Sequence, residues 1–157
     1  MIIKGLMDEN FQDYKLPSMY IAFPFCTFKC ERDCGKFICA NRALAEEPGI
    51  EVSAEQLVER YLKNPITHAI VLGGLEPFDS FDFVLEFIDS LRRECEDDIV
   101  IYSGYKEEEV EDKIKELSKY KNIIVKFGRF IPDDEPIFDK ILEVTLASKN
   151  QYAKILK

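Results

Sequence analysis

Four unbroken apolar runs, separated by amphipathic stretches, limit the possible folds of this chain more than any other feature. They are Tyr20-Ile21-Ala22-Phe23, Ala69-Ile70-Val71-Leu72, Ile99-Val100-Ile101-Tyr102 and Ile123-Ile124-Val125. Successive side chains of a strand point to opposite faces, so a strand with one wet face alternates apolar and polar residues. Runs without alternation fit strands covered on both faces, as in a parallel sheet. The stretches between them carry helical periodicity. From Ser53 onward, Ala54, Leu57, Val58, Tyr61 and Leu62 fall on one stripe, and Ser53 and Gln56 are spaced for a capping box. Residues 80–93 place Phe81, Val84, Leu85, Ile88 and Leu91 on one face, and residues 107–120 do the same with Val110, Ile114 and Leu117.

This order is a succession of βα units, whose crossovers are right-handed. The expected fold class is α/β, as a partial (β/α) barrel or a short parallel sheet in a single domain over residues 1–157. A full eight-fold barrel takes about 250 residues, more than the 157 present. Residues 131–138, rich in Pro and Asp, predict a loop, and residues 140–157 a terminal element of mixed type.

The formal net charge of −9 repels phosphate backbones and anionic headgroups, so no nucleic-acid partner is expected. No run of about 18 apolar residues suggests a membrane span. Residues 1–10 lack the apolar core and small-residue cleavage site of a secretory signal, which predicts a cytoplasmic protein.

Four of the five cysteines, Cys26, Cys30, Cys34 and Cys39, fall within one stretch of 14 residues. In a reducing compartment such a group signals a metal site rather than disulfides. Thiolates suit both iron-sulfur clusters and zinc. Structural zinc sites usually pair two short cysteine spacings across a long gap, and no distant pair exists here. A non-catalytic zinc-binding interaction module is the alternative. Three cysteines on a cubane leave one iron open for chemistry, and spacing alone does not say which three bind. Cys95 predicts a structural thiol, and the single histidine, His68, suggests no role.

The other unusual residues each follow an apolar run. Gly73-Gly74-Leu75-Glu76-Pro77 follows the second, Ser103-Gly104-Tyr105 the third and Gly128-Arg129 the fourth. In parallel α/β sheets the site lies beyond the carboxyl ends of the strands, so these motifs converge on one end of the sheet.

The cysteine spacing resembles the signature loop of the radical S-adenosylmethionine superfamily, usually C-x3-C-x2-C. Cys26-x3-Cys30 matches it, while the third spacing is longer, to Cys34 or Cys39. Cys39-Ala40-Asn41 resembles the Cys-x-Asn of the activating proteins of anaerobic ribonucleotide reductase. The resemblance thus implies a 4Fe-4S cluster on Cys26, Cys30 and Cys39, with Cys34 as the alternative third ligand. Gly73-Gly74-Leu75-Glu76-Pro77 resembles the superfamily's GGEP motif, with Leu75 inserted. That motif implies that Gly73, Gly74, Glu76 and Pro77 bind S-adenosylmethionine, Glu76 facing its amino group. Tyr102-Ser103-Gly104-Tyr105 resembles a Ser-Gly-Tyr stretch of the activating proteins and implies contact of Ser103 with the cosubstrate's ribose or carboxylate. Phe127-Gly128-Arg129-Phe130 and Ser148-Lys149-Asn150-Gln151 resemble their Asp-Gly-Arg-Phe and Ser-x-Asn-Gln stretches. They suggest Arg129 as a carboxylate partner, while Lys126 departs from a frequent Asp. The implied activity is reductive cleavage of S-adenosylmethionine to a 5′-deoxyadenosyl radical. The implied partners are a glycyl-radical protein and an electron donor such as flavodoxin or ferredoxin. A small-molecule or peptide substrate is the alternative.

Overall fold

The apolar runs become the centre of one sheet. A computed structural model describes all residues 1–157. Strands β1 (Gly5–Asn10), β2 (Ser18–Phe23), β3 (Ala69–Gly74), β4 (Asp98–Tyr102), β5 (Ile123–Phe127) and β6 (Tyr152–Ile155) form a six-stranded sheet in the order β6-β5-β4-β3-β2-β1. The four strands built on the apolar runs, β2 to β5, lie side by side and parallel, in chain order. The two outer strands pair antiparallel, β1 with β2 and β6 with β5. The sheet is therefore mixed and open. The expected short parallel sheet is present as β2 to β5, extended by one antiparallel strand at each edge, and no barrel is shown.

The edge strands escaped sequence patterning for a physical reason. β1 reads Gly-Leu-Met-Asp-Glu-Asn, with no β-branched residue, so its strand state is set by the neighbour it pairs with. Charges on both edges, Asp8 and Glu9 on β1 and Lys154 on β6, suit strands whose outer rim meets water.

Five helices follow: α1 (Lys29–Cys34), α2 (Arg42–Glu46), α3 (Ala54–Leu62), α4 (Phe81–Arg92) and α5 (Glu111–Leu117). Ser53 caps α3 as its spacing predicts, its Oγ accepting from Gln56 N while Gln56 Oε1 accepts from Ser53 N. The third amphipathic stretch is shorter than expected. Residues Glu107–Glu109 form a single 3-10 turn, and Val110 breaks it at φ −134° before α5 begins.

The connecting helices α3, α4 and α5 pack on one face of the sheet. Leu57, Phe87 and Leu117 share a core with Ile21, Ile70, Ile101 and Val125. Full burial of each large apolar side chain contributes about 1.5–3 kcal/mol. The alternate strand residues Val71, Val100 and Ile124 face the other way and pack against Tyr14, Leu142 and Leu146. Both faces are covered, as unbroken apolar runs require, but only one of them by helices. Sequential strand order with every crossover helix on one side follows from right-handed crossovers that never reverse direction.

The helix-free face is closed by two irregular segments. Residues 10–16 form a tight turn in which Asn10 Oδ1 accepts from Gln12 N and Asp13 N at 2.9 and 3.2 Å. Residues 131–147 contain the predicted loop, then a small hairpin in which Ile137–Asp139 pairs with Val144–Leu146. No helix is long and apolar enough to cross a membrane.

Candidate metal centre

The carboxyl ends of β2 to β5 open into a cavity of about 500 Å³. Each strand end delivers polar residues to it, because a loop leaving a buried strand is the first place where the chain can face open space.

After β2 the chain runs into the cysteine loop. Cys26 Sγ accepts from Phe28 N at 3.1 Å, and Thr27 N donates to Asp79 Oδ2 at 2.7 Å. Phe28, at φ 52°, turns the chain into α1, and Gly35, at φ 68°, ends that helix in the left-handed conformation glycine tolerates. The chain then doubles back so that Cys39 returns beside Cys26 and Cys30.

Glu31 organises that return. Its side chain is 6% exposed. Oε1 accepts from Ile38 N at 3.1 Å and Cys39 N at 3.0 Å, and the carboxylate pairs with the Arg42 guanidinium. Arg42 in turn lies between the Phe28 and Phe37 rings, 4.6 and 4.7 Å from their centroids. The long spacing to the last cysteine is thus a folded hairpin tied at its base by one buried carboxylate.

Cys26, Cys30 and Cys39 all line the cavity. Cys34 does not: it is exposed, and its thiol lies near the carbonyls of Glu31 and Lys36 at 3.6 and 3.5 Å. Cys95 is half-buried and packs against the helical side of the core. Nowhere do three His, Cys, Asp or Glu side chains converge closely enough to hold a single ion. A cavity of about 500 Å³ lined by three thiols has room for a group such as a cubane. Gly104 keeps room for it, since a Cβ at that position would stand 3.0 Å from Cys30 Sγ. Burial pushes the Cys26 thiol up to about 12 and the Cys30 thiol upward as well. Metal binding must therefore displace their protons.

Of the glycine-loop residues, Gly74, Leu75 and Glu76 line the cavity, whereas Gly73 and Pro77 do not. Gly74 sits at φ +79°, and a Cβ there would meet Ala22 Cα at 2.8 Å, so only glycine fits. Its carbonyl accepts from Asn41 Nδ2 at 2.6 Å. That bond ties the cysteine hairpin to the end of β3. Gly73 leaves space for the Tyr20 ring, and Pro77 opens the 3-10 turn before α4. The inserted Leu75 is 7% exposed and lines the cavity between Gly74 and Glu76.

Glu76 is almost fully buried. Its Oε2 accepts from Gly104 N at 2.8 Å and its Oε1 from Phe78 N at 3.1 Å, so it joins the ends of β3 and β4. Burial outweighs these N–H donors and pushes its pKa up to about 7 from an ordinary 4.5. Because the folded state holds the proton more tightly than the unfolded chain, this group favours folding most at low pH. Its contribution disappears as pH rises through the folded pKa. Thermal melts of the cluster-free protein should show stability falling between about pH 4.5 and about pH 7, with the decline flattened in Glu76→Gln.

Ser103 is buried and lines the cavity, its Oγ accepting from Tyr105 N at 3.0 Å. Arg129 is not brought to the cavity. Its guanidinium pairs with Asp33 and Glu109 and donates to Gly104 O at 2.7 Å, so it clamps α1 to the strand ends from behind.

Several cavity residues carry no sequence signal. Tyr20 and Tyr102 were hidden inside apolar runs, and Asp13 and Gln12 lie in the turn that closes the helix-free face. Glu31 lies between Cys30 and Cys34 with no motif of its own. Its role depends on the hairpin, which no short motif encodes.

A family model described as a 4Fe-4S single cluster domain matches residues 20–152 of the chain. No curated protein matches it significantly.

Proposed function

The chain belongs to the 4Fe-4S single cluster domain family, and from that premise we propose that it is a radical S-adenosylmethionine enzyme whose cluster is held by Cys26, Cys30 and Cys39. The observation that carries this reading is the sharing of one cavity by those three thiols, Gly74 and Glu76, with Cys34 turned away. Three ligands leave one iron of a cubane free for a cosubstrate, by the logic that separates an open catalytic site from a closed structural one. When bound and reduced, such a cluster supplies the electron that cleaves S-adenosylmethionine to methionine and a 5′-deoxyadenosyl radical, which takes a hydrogen atom from a substrate.

The chain's own residues hold, orient and exclude water. Asn41 and Glu31 fix the cysteine hairpin against β3, so the third thiol keeps its place relative to the other two. Glu76, at the strand tip, offers a carboxylate to an ammonium group of the cosubstrate once its backbone donors yield. Ser103 lies one strand over, within the same cavity. Tyr20, Tyr102 and the segments 10–16 and 131–147 wall the helix-free side, limiting solvent access to a reactive radical.

The proposed substrate is a glycine Cα of a glycyl-radical protein, with a small flavodoxin or ferredoxin as electron donor. Anaerobic reconstitution with iron and sulfide, followed by dithionite and S-adenosylmethionine, should yield 5′-deoxyadenosine and methionine in equal amounts. A brown, fully loaded protein that forms neither would remove the enzymatic reading while keeping the cluster.

A further inference from the structure

Lys126 is the one cationic side chain lining the cavity. It lies on β5 between Val125 and Phe127, which face the helical core, so its own side chain turns to the helix-free face. It is only 6% exposed. Its Nζ donates to the carbonyls of Ser103 and Gly128 at 3.2 and 3.0 Å. Both acceptors are neutral.

Burying an ammonium is unfavourable unless an anion compensates it. The groups whose charges favour the Lys126 ammonium are Glu76 and Cys30. Accepting from neutral backbone N–H groups leaves the charge of a Glu76 carboxylate in place, so Glu76 is one counter-charge of Lys126 in this cavity. Arg129 also bears on Cys30, but its charge is matched by Asp33 and Glu109. Lys126 thus lines the same cavity as Cys26, Cys30 and Cys39, with its Nζ 6.0 Å from the centroid of the Tyr102 ring.

We propose that Lys126 is the fixed counter-charge of the cluster and raises its reduction potential. The inference rests on the cluster being carried by Cys26, Cys30 and Cys39. Three thiolates leave an oxidised cubane net negative, and one-electron reduction adds a further negative charge. An ammonium in the same buried cavity therefore stabilises the reduced state more than the oxidised one. Lys126 is nearly buried, so bulk salt screens its charge only weakly.

The test is a redox titration of the anaerobically reconstituted full chain, free of cosubstrate, poised with dithionite and followed by electron paramagnetic resonance. Lys126→Met and Lys126→Gln should titrate at a more negative midpoint than the wild type, by an amount that persists at high salt. Lys126→Arg, which keeps the charge, should remain close to the wild type. Lys36→Met removes a charge from the exposed face of the cysteine loop, and any shift it causes should vanish in salt. An unchanged midpoint in a fully iron-loaded Lys126→Gln or Lys126→Met protein overturns the proposal, as does a shift that salt abolishes. An unchanged midpoint combined with weakened S-adenosylmethionine binding also overturns it, and would assign the ammonium to the cosubstrate instead. Failure of the ligand assignment is separable, because it appears as full iron content in Cys30→Ala before any potential is measured.

Discussion

Alanine at Cys39 should leave the anaerobically reconstituted protein colourless, while alanine at Cys34 should leave it brown with wild-type iron content. The contrast is an all-or-none effect at two cysteines of the same loop. The wall of one cavity includes Cys26, Cys30 and Cys39, and Cys34 sits on the outer side of α1 with its thiol exposed. Removing a thiolate from the cavity leaves an iron without its protein ligand, and a cubane on two cysteines is readily lost to solvent. Cys34 has neighbours only in the carbonyls of Glu31 and Lys36, so its truncation changes a surface contact. Iron and sulfide analysis beside the visible spectrum decides the matter. Full loading of Cys39→Ala with loss in Cys34→Ala would exchange the third ligand and require the hairpin to rearrange.

The second large effect is expected at Glu31. Truncation in Glu31→Ala removes the acceptor for Ile38 N and Cys39 N together with the partner of Arg42. Breaking a fully buried pair from one side costs about 3–5 kcal/mol. Here the Arg42 side chain is 42% exposed and can turn to water, so about 2 kcal/mol of stability should be lost. The larger consequence is for the cluster. Without its tie the segment 35–39 keeps the Asn41 bond to Gly74 and the stacking of Phe37 on Arg42, but Cys39 N has lost its acceptor and Cys39 no longer stands ready beside Cys26 and Cys30. Iron content of Glu31→Ala should fall well below that of the wild type under identical reconstitution. Glu31→Gln keeps an oxygen for the two N–H groups and should fall between them. Denaturant unfolding of the cluster-free forms measures the first effect and iron analysis the second. Wild-type loading of Glu31→Ala would mean that the cysteine hairpin is shaped by the cluster rather than by the carboxylate.

The residues that carry these predictions differ in how openly the chain displays them. Cys26, Cys30 and Cys39 stand out in the sequence by type and spacing, and Gly74 by its place after an apolar run. Lys126 is visible only as an oddity, a charge between Val125 and Phe127. That position becomes meaningful once β5 is known to expose it to a cavity. Arg129 shows the opposite case. Its neighbourhood in the sequence suggests a ligand contact, yet Asp33 and Glu109 arrive from distant segments and occupy its guanidinium.

By itself the sequence determined the four parallel strands, the helices between them and the end of the sheet where the cysteines and glycines gather. These follow from local periodicity, since burial on both faces leaves an unbroken apolar run and helical packing leaves a stripe. Only the tertiary structure decided that β1 and β6 close the sheet as antiparallel edges, that irregular segments rather than helices cover the second face, and that Cys34 is left outside. An edge strand with few apolar residues is made by the hydrogen bonds of its neighbour. A cysteine is included or excluded by a hairpin whose shape is set by Glu31, Arg42 and Asn41 acting together. Such pairings join residues that lie apart in the chain, and no local pattern records them.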